Sequence, residues 1–544
     1  MRRVFSVLFR PRSILLLLLL VTLLKGLAWS IIIPPWHAPD EQQHFLYGQS
    51  IERSLILRVK PPFWVSEEAK VLYDLIQMST VRYEFQPFDL TDRAAIAEQI
   101  RLLDDPAIKR TYVYDEKEEL VRIRRFTAFH PPLYYALLAA IQKPLEGASI
   151  LVRLLANRWL SVALGLVTVA LAYRVGRDLW PDRPGWALLL ATLVSFQPMF
   201  TFMTASVSNQ MMEIVLFSGC LWISLRVMHG GLNVWRALAL GLLVALGLLT
   251  KISFLSVFFL LGLLGVWHVV QLRRERRLGW RALWPWVLVF LLPLLCSGWW
   301  YAGTLLSGGG TQLVSYGAST AGAPVRLLPY LVHYGWVTIY QSVLQMYWGD
   351  FGWLDTPLPY SLRGILIVMT VLVVWTAGWA MVGQLTSRAK PGAARTGQWA
   401  WPLFVGACAT LGYLAFYTLL DFRSMQDAGT SFGIQGRYFL PPVIGQMAWV
   451  MVGMTLPVPQ RLRWAWAWLV GAGMIALNVY ALFGVILPRY YGPGSLPVLL
   501  ERATVLQPVT VATLVPICGA YAVLTAALVL ALGGLLVQDQ GDEL

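Results

Sequence analysis

Residues 13–33, SILLLLLLVTLLKGLAWSIII, form an apolar run long enough to cross a lipid bilayer as a helix. Similar runs recur along the 544 residues, of which 57% are hydrophobic and only 13% are charged. Backbone polar groups inside a bilayer must be satisfied internally, so a spanning segment is either a helix or a strand of a closed barrel. Apolar residues that follow one another without alternation exclude the barrel. The sequence therefore predicts an all-α polytopic membrane protein.

About twelve runs are long and apolar enough to be predicted as transmembrane helices. They are Ser13–Ile33, Ile150–Val175, Ala187–Thr204, Met211–Met228, Ala237–Leu249, Ile252–Val270, Ala282–Gly303, Leu362–Gln384, Trp401–Leu420, Tyr438–Leu456, Trp464–Ile486 and Val509–Val537. The first run is longer than the core of a signal peptide and lacks a convincing cleavage site, so we interpret it as a retained signal anchor. Lys25 lies inside it and should face the helix bundle, unless it snorkels to the interface.

Positive charge is unevenly distributed between the connections, which predicts the orientation of the chain. The even-numbered connections hold the excess, at Arg174, Arg177, Arg183, Arg226, Arg236, Arg273, Arg274, Arg276, Arg277, Arg281, Arg388, Lys390, Arg395, Arg461 and Arg463. Residues 1–12, with four arginines, and the tail 538–544 are then cytoplasmic. Residues 34–149 and 304–361 become extracytoplasmic loops. This topology also accounts for the net charge of +14 and argues against a nucleic-acid partner.

The first loop should contain short helices. Residues 66–76 begin with a capping pattern and continue with helical spacing, and residues 91–103 are similar. The apolar stretch after His130-Pro131-Pro132 is too short to span and predicts a helix at the interface. Cys220, Cys296, Cys408 and Cys518 all lie in apolar runs without metal-ligand or disulfide spacing.

An acidic pair follows the first span, in Pro34-Pro35-Trp36-His37-Ala38-Pro39-Asp40-Glu41-Gln42-Gln43-His44. Proline at the first helical position with acids in the first turn is typical of a helix start. If the helix continues, Asp40 and His44 share one face and Glu41 lies three residues before His44. Three interpretations therefore remain open: helix capping, acid–base catalysis, and ligation of a divalent cation.

Other polar residues lie at predicted membrane boundaries. Lys251 and Arg437 are suited to an anionic lipid head group, although interfacial anchoring explains them as well. His130 closes the first loop and can return near Asp40, or be a hydrogen-bonded structural residue. Glu213 starts a span, where an ionisable group suggests function or pairing with Lys251. Trp348 and Asp350 belong to an aromatic and acidic segment, 347–355, which suits sugar rings or an interfacial aromatic belt.

Six motifs in this order resemble a bacterial family described only as predicted membrane proteins of unknown function. They are Pro39-Asp40-Glu41-x-x-His44, His130-Pro131-Pro132-Leu133-Tyr134-Tyr135, Leu248-Leu249-Thr250-Lys251, Trp299-Trp300-Tyr301, Trp348-Gly349-x-Phe351-Gly352-Trp353 and Gln435-Gly436-Arg437-Tyr438. That family in turn resembles the GT-C superfamily, whose members transfer sugars from polyprenyl-phosphate donors outside the cytoplasm. The resemblance implies a multi-pass protein of the bacterial inner membrane with an extracytoplasmic active site.

The resemblance also implies roles for individual residues. Asp40 or Glu41 would be the catalytic carboxylate, with His44 as its neighbour, and Lys251 and Arg437 would bind the donor phosphate. Substrate-binding residues would be His130, Tyr134, Trp348, Asp350 and Glu213. The acceptor would be a glycan, a lipid or a protein.

The chain departs from the family pattern at two places. Asn209-Gln210 stands where relatives often carry Asn-Asp, and Ala302-Gly303 follows Trp-Trp-Tyr. Both departures weaken the case for a metal, and a divalent cation remains open. The predicted function is an inverting glycosyltransferase. A lipid-linked sugar transporter or flippase, and an oligosaccharide polymerase or ligase, are the alternatives, although no internal duplication of the kind found in transporters is evident.

Overall fold

The structure is a computed structural model that describes residues 10–54, 64–114, 130–306, 326–386 and 400–541, apart from residues 430 and 432. The predicted cytoplasmic residues Arg2, Arg3, Arg388, Lys390 and Arg395 lie outside the described ranges. In chain order, the elements up to residue 306 are α1 (Pro11–Ile32), α2 (Glu41–Ser54), β1 (Trp64–Ser66), α3 (Glu67–Leu75), α4 (Met78–Tyr83), α5 (Arg93–Leu102), α6 (Pro106–Arg110), β2 (Tyr112–Tyr114), α7 (Leu133–Gln142), α8 (Ile150–Leu179), α9 (Pro184–Phe196), α10 (Pro198–Thr204), α11 (Asn209–Gly230), α12 (Val234–Leu248), α13 (Val257–Arg274), α14 (Trp280–Leu283) and α15 (Pro285–Leu306).

The elements after residue 326 continue the same helical architecture. They are α16 (Leu327–Tyr330), α17 (Trp336–Thr338), β3 (Asp350–Phe351), β4 (Thr356–Pro357), α18 (Tyr360–Thr386), α19 (Ala400–Ala428), α20 (Val443–Thr455), α21 (Arg463–Tyr480), α22 (Leu487–Tyr491), α23 (Leu496–Thr504) and α24 (Val511–Gly541). Short 3-10 helices occupy Lys143–Leu145, Ile252–Ser256, Gly436–Phe439 and Gln460–Leu462, and π-helical turns occupy Leu331–Gly335, Ile339–Gln345 and Ala481–Ile486.

Every one of the predicted spans is helical, but not every one is long enough to cross a bilayer alone. Among the described residues, nine helical segments pass on length and apolarity, or ten when the bent pair α9–α10 counts as one span. Helices α12 and α20 have only 15 and 13 residues. At about 1.5 Å per residue, neither reaches the roughly 30 Å of a bilayer core. The prediction of an all-helical membrane protein is confirmed, and the count of twelve spans is not.

A bend of 64° separates α9 from α10. It lies at Gln197, which is extended (φ −60°, ψ 120°), because Pro198 has no N–H to continue the helical ladder. The Gln197 side chain fastens the break to the rest of the fold, since its Nε2 donates to the Tyr347 carbonyl at 2.7 Å. The bend therefore links the third predicted span to the segment that carries Trp348.

Lys25 donates to a backbone carbonyl that the bend leaves without a partner in the helix. Its ammonium donates to the Ser195 carbonyl and lies 4.2 Å from the centroid of the Phe196 ring. Asn478 donates to the Phe196 carbonyl at 3.1 Å. Because Lys25 is only 1% exposed, it faces the bundle and does not snorkel to an interface, which decides between the two alternatives.

In the first connection, the described residues 33–54, 64–114 and 130–149 pack against the membrane helices. Its predicted short helices are present as α3 and α5, and β1 pairs antiparallel with β2. The ten-residue helix α7 packs along α2. The backbone N–H of Phe88 donates to the carbonyl of Tyr490 at 2.9 Å, and one hydrophobic cluster runs from α1 through α2 to α22. This packing fixes the start of α2 against the membrane helices.

Candidate functional site

The acid pair sits at a sharp turn into α2. Asp40 has a φ of 64°, in the left-handed region that Asp tolerates better than most residues other than glycine. Its carbonyl accepts from the N–H groups of Gln43 and His44 at 3.1 Å each, so the helix proper begins at Glu41. The expected start at Pro39 is wrong by two residues, because the left-handed turn at Asp40 interrupts the helical backbone. The turn sends the two neighbouring carboxylates to different partners.

Glu41 is fully buried and fully bonded. Arg158 on α8 donates from Nε to its Oε1 at 2.8 Å and from Nη2 to its Oε2 at 2.6 Å. The backbone N–H groups of Trp36 and Val207 donate to the same carboxylate at 3.0 Å and 2.9 Å. Each Glu41 oxygen thus has two donors, which is the pattern of a carboxylate that holds a fold together.

Arg158 connects Glu41 to the end of the first span. It donates to the backbone carbonyls of Ser30 and Ile33 at 2.7 Å each and to that of Pro34 at 2.8 Å. The last carbonyls of a helix lack partners within the helix, and a buried cation satisfies them. One arginine therefore ties α1, α8 and the start of α2 together.

Asp40 pairs instead with Arg437. The Nη2 of Arg437 lies 2.6 Å from Oδ2 of Asp40, and its Nη1 donates to the Pro39 carbonyl at 3.0 Å. These residues are 397 positions apart in the sequence. The Asp40 side chain is 34% exposed while that of Arg437 is 4% exposed. The carboxylate is therefore accessible from outside the protein, and the guanidinium beneath it is not.

The backbone around Arg437 is held on both sides. A Cβ on Gly436 would lie within 2.6 Å of the backbone of Ser342, Met346 and Tyr347, so only glycine allows these segments to approach. Gln210, at the start of α11, donates from Nε2 to the Arg437 carbonyl. The glycine of the Gln-Gly-Arg-Tyr motif thus has a packing role, and Gln210 has a partner other than a metal.

Lys251 forms the second ion pair of this region. Its ammonium lies 3.2 Å from Oε2 of Glu213, whose Oε1 accepts from Ser253 at 2.5 Å and from Tyr413 at 3.1 Å. Pairing with Lys251 was one of the two alternatives for Glu213, and the structure contains that pair. The Glu213 side chain has no exposed surface, so it orients Lys251 from behind.

Tyr438 lies between the two cations. The Lys251 ammonium is 5.3 Å and the Arg437 guanidinium 5.5 Å from the centroid of its ring. Burial lowers the pKa of Lys251, the Glu213 carboxylate raises it and the Arg437 charge lowers it, with a net decrease. Two cations and two carboxylates thus surround one aromatic ring.

His44 and His130 stack beside this group, with ring centroids 6.1 Å apart. The hydroxyl of Tyr135 lies 2.8 Å from Nδ1 of His44, and the two rings stack at 5.8 Å. Burial lowers the pKa of His44 well below its usual value, with further lowering by His130, Arg437 and Lys251. Burial and Lys251 likewise lower the pKa of His130 to about 4, against a raising effect of Asp40. Both imidazoles are therefore neutral at pH 7.

Of the remaining predicted residues, Tyr134 contacts this cluster, whereas Trp348 and Asp350 have other partners. Tyr134 is buried with its ring edge-on to His44 at 6.5 Å. Trp348 donates from Nε1 to Thr370 of α18 at 2.8 Å. Asp350 lies in β3, where burial raises its pKa to about 6, Arg363 lowers it and Asp355 raises it. The structure thus gathers Asp40, His44, His130, Lys251 and Arg437, places Glu213 and Tyr134 behind them, and directs Glu41 elsewhere.

Three important residues were not singled out from the sequence: Arg158, Gln210 and Tyr135. A signal existed for Arg158, because an arginine inside an apolar span is rarely without a role. Gln210 and Tyr135 carry no such signal, since neither residue type is unusual at a helix start. Among the described residues, no group of three or more His, Cys, Asp or Glu side chains is placed to hold a metal ion.

Two cavities accompany the helices. An apolar groove of about 330 Å³ begins at Trp348 and runs between α18, α20 and α21. A polar cavity of about 710 Å³ is lined by residues 228–233 and 267–277, at the far end of α11 from Glu213, and contains no predicted site residue. Of these two, the groove includes one predicted site residue, Trp348, and the larger cavity includes none.

The model of the family DUF2142, described as a predicted membrane protein, matches residues 23–445. The chain belongs to this family. The matched region contains all six motifs, and the predicted family membership is confirmed. No protein of curated function matches the sequence.

Among solved structures, the chain is similar to ArnT from Cupriavidus metallidurans in the apo state, with 13% identity, a TM-score of 0.41 and coverage of 87% of this chain and 74% of ArnT. It is similar to the same protein bound to undecaprenyl phosphate with 14% identity, a TM-score of 0.39 and the same coverage.

Proposed function

We propose that the protein is a membrane glycosyltransferase that moves a sugar from a polyprenyl-phosphate donor to an acceptor hydroxyl with inversion. The observation that carries the proposal is the 2.6 Å contact between Asp40 and Arg437, which joins a predicted base to a predicted phosphate ligand. Lys251 adds a second cation beside Tyr438. A carboxylate and two cations in one place are the groups that this transfer requires.

The apolar groove beside Trp348 supports a lipid-linked donor. Its lining residues are almost all apolar, and it lies between helices that cross or enter the membrane. A polyprenyl chain has no polar atoms and can pack against such an apolar lining by van der Waals contact, without leaving a polar group unsatisfied. The phosphate of that lipid would lie beyond the Trp348 end of the groove, where the backbone of Tyr347 packs against Gly436 beside Arg437. According to the charge distribution, this end is on the extracytoplasmic side of a bacterial inner membrane.

The transfer would use the chain's own groups as follows. Asp40 accepts the proton of the acceptor hydroxyl while that oxygen bonds to the anomeric carbon of the donor sugar. The bond between the anomeric carbon and the phosphate oxygen breaks, and its electron pair leaves with the polyprenyl phosphate. Arg437 and Lys251 stabilise the charge on the departing phosphate through charge-assisted hydrogen bonds. Glu41 does not take part, since both of its oxygens are bonded to buried donors.

The test is a transfer assay with purified protein in proteoliposomes, a panel of radiolabelled polyprenyl-phosphate sugars and hydroxyl acceptors, with and without a chelator. We expect one donor to be consumed with release of polyprenyl phosphate. Asp40→Asn should fold normally and transfer about 10²–10⁴-fold more slowly, the usual effect of losing a general base.

Asp178→Asn is the matched control. Asp178 also pairs with an arginine, since its Oδ1 lies 3.1 Å from Arg226. This pair is at the C-terminal ends of α8 and α11, away from the candidate site. A fully active Asp40→Asn variant removes Asp40 from the mechanism. Movement of the intact glycolipid across the membrane without transfer indicates a flippase instead.

A further inference from the structure

We infer that Tyr135 and Asn209 are positioning residues that hold His44 as the neutral tautomer with its proton on Nε2, so that His44 donates a hydrogen bond and does not act as a base. The proposal rests on the proposed function for the role of that hydrogen bond, but not for the tautomer itself. It is carried by a chain of hydrogen bonds from Asn209 through Tyr135 to His44.

Asn209 sets which atoms donate and which accept in this series of hydrogen bonds. Its amide nitrogen lies 3.3 Å from the Tyr135 hydroxyl and 3.4 Å from the Thr250 carbonyl. A carbonyl can only accept, so the atom facing Thr250 must be the NH₂ group and not the amide oxygen. The same NH₂ group then donates to the oxygen of the Tyr135 hydroxyl.

Tyr135 is the donor in the next hydrogen bond, to His44. The Tyr135 hydroxyl has two hydrogen-bond partners, the Asn209 NH₂ group and Nδ1 of His44 at 2.8 Å. The NH₂ group cannot accept, so Nδ1 is the partner that can take the single phenol proton. An Nδ1 that accepts carries no proton, and a neutral imidazole then has its proton on Nε2. Burial keeps the imidazole neutral, because the ring is 5% exposed and the charges of Arg437 and Lys251 oppose protonation.

The consequence concerns the anionic donor. A neutral imidazole with a protonated Nε2 can donate to a phosphate or sugar oxygen, but it has no free nitrogen with which to remove a proton. Asp40 is then the base of this cluster, and His44 supplies a donor beside the two cations. Stacking against His130 and Tyr135 restricts the ring to one orientation.

The test is nitrogen NMR of protein with ¹⁵N-labelled histidine in lipid nanodiscs at pH 7, which distinguishes protonated from unprotonated ring nitrogens. The chain has six histidines, and His44→Gln identifies the His44 signals. We expect Nε2 protonated and Nδ1 unprotonated in the wild type. Tyr135→Phe keeps the ring but removes the hydroxyl and should allow the other tautomer to appear. If His44→Gln fails to fold, the signals that change in Tyr135→Phe provide the assignment.

Tyr491→Phe is the control for loss of a buried hydroxyl, because Tyr491 donates to the Ile32 carbonyl at 2.8 Å instead. It should leave the His44 signals unchanged. A proton on Nδ1 in the wild type, a charged imidazole, or a Tyr135→Phe spectrum identical to the wild type overturns the inference. In the transfer assay, Tyr135→Phe should lower the rate about 10-fold. If Tyr135→Phe changes the His44 tautomer but neither the wild type nor any variant transfers sugar, the proposed function is contradicted and the inference about the tautomer is supported.

Discussion

Asp40 and Glu41 are adjacent in the sequence and chemically alike, yet they belong to two different environments. Glu41 and Arg158 are both buried, and besides each other they bond five backbone groups, two N–H groups and three carbonyls. Asp40 is one-third exposed and has a single arginine partner. The difference shows that two carboxylates next to each other in one motif can differ completely in partner and burial, and the proposed catalytic role of Asp40 rests on this difference.

The largest expected effect follows from breaking the buried pair. Glu41→Gln leaves the Arg158 guanidinium without a counter-charge inside the protein, which typically costs about 3–5 kcal/mol. We expect a large fall in the thermal unfolding temperature of the detergent-solubilised protein. Asp40→Asn should change that temperature little, because its carboxylate is partly solvated. Equal losses in the two variants would contradict the division between the two regions.

The second prediction concerns the pair formed by Asp40 and Arg437. Arg437→Lys keeps the charge but loses the planar fork that reaches both Asp40 and the Pro39 carbonyl. We expect the affinity for farnesyl phosphate, measured by native mass spectrometry, to fall by an amount equivalent to about 1.5–3 kcal/mol, the usual range for charge-assisted hydrogen bonds. Arg226→Lys is the matched control at the far end of α11. A similar loss in both variants would show that the effect is general and not a property of the site.

A third carboxylate extends the comparison to one without a close cationic partner. Burial raises the pKa of Asp350 to about 6, Arg363 lowers it and Asp355 raises it. In the unfolded chain the value is about 3.9, so the folded protein binds the proton more tightly. This contribution to stability is complete below about pH 4 and is lost as the pH rises through about 6. The loss is on the order of 2 kcal/mol.

Asp350→Asn removes this titration. The variant should therefore unfold at a higher temperature than the wild type at pH 8, and the difference should vanish near pH 4. Thermal unfolding in detergent across this pH range is the measurement. Parallel curves for wild type and variant would exclude Asp350 as the titrating group.

The smallest expected effect sharpens the role of the Asp40–Arg437 pair. A bound phosphate must compete with Asp40 for the guanidinium, so Asp40→Asn should raise the affinity for farnesyl phosphate by about 3–10-fold, equivalent to about 1 kcal/mol. Asp178→Asn should leave that affinity unchanged. Weaker binding by Asp40→Asn would mean that Asp40 holds Arg437 in place and does not compete with the ligand.

Much of the architecture was predictable because long apolar runs leave few alternatives inside a bilayer. All the predicted spans are helical, and α3 and α5 lie where the capping patterns placed them. The length of α20 was overestimated, because flanking apolar residues such as Leu440 continue the run without continuing the helix. The predicted span at α12 was already shorter than the helix itself. The bend at Gln197 follows from Pro198, but its angle depends on the packing of Lys25 and Asn478.

The site was only partly predictable. Lys251 and Glu213 form the pair that was one of the alternatives, and Arg437 lies beside Asp40. The helical spacing of Asp40, Glu41 and His44 suggested that all three converge, whereas the left-handed backbone at Asp40 directs Glu41 toward Arg158. Spacing along a helix cannot report a turn whose conformation depends on partners from elsewhere in the chain.

The sequence by itself determined that the chain is helical and membrane-embedded, because hydrocarbon accepts no unsatisfied backbone and the apolar runs do not alternate. It also determined which residue types are available near the ends of the spans. Only the tertiary structure decided which carboxylate remains accessible, which cation meets it, and which nitrogen of His44 carries the proton. Those outcomes depend on contacts between residues as many as 397 positions apart, which no local pattern encodes.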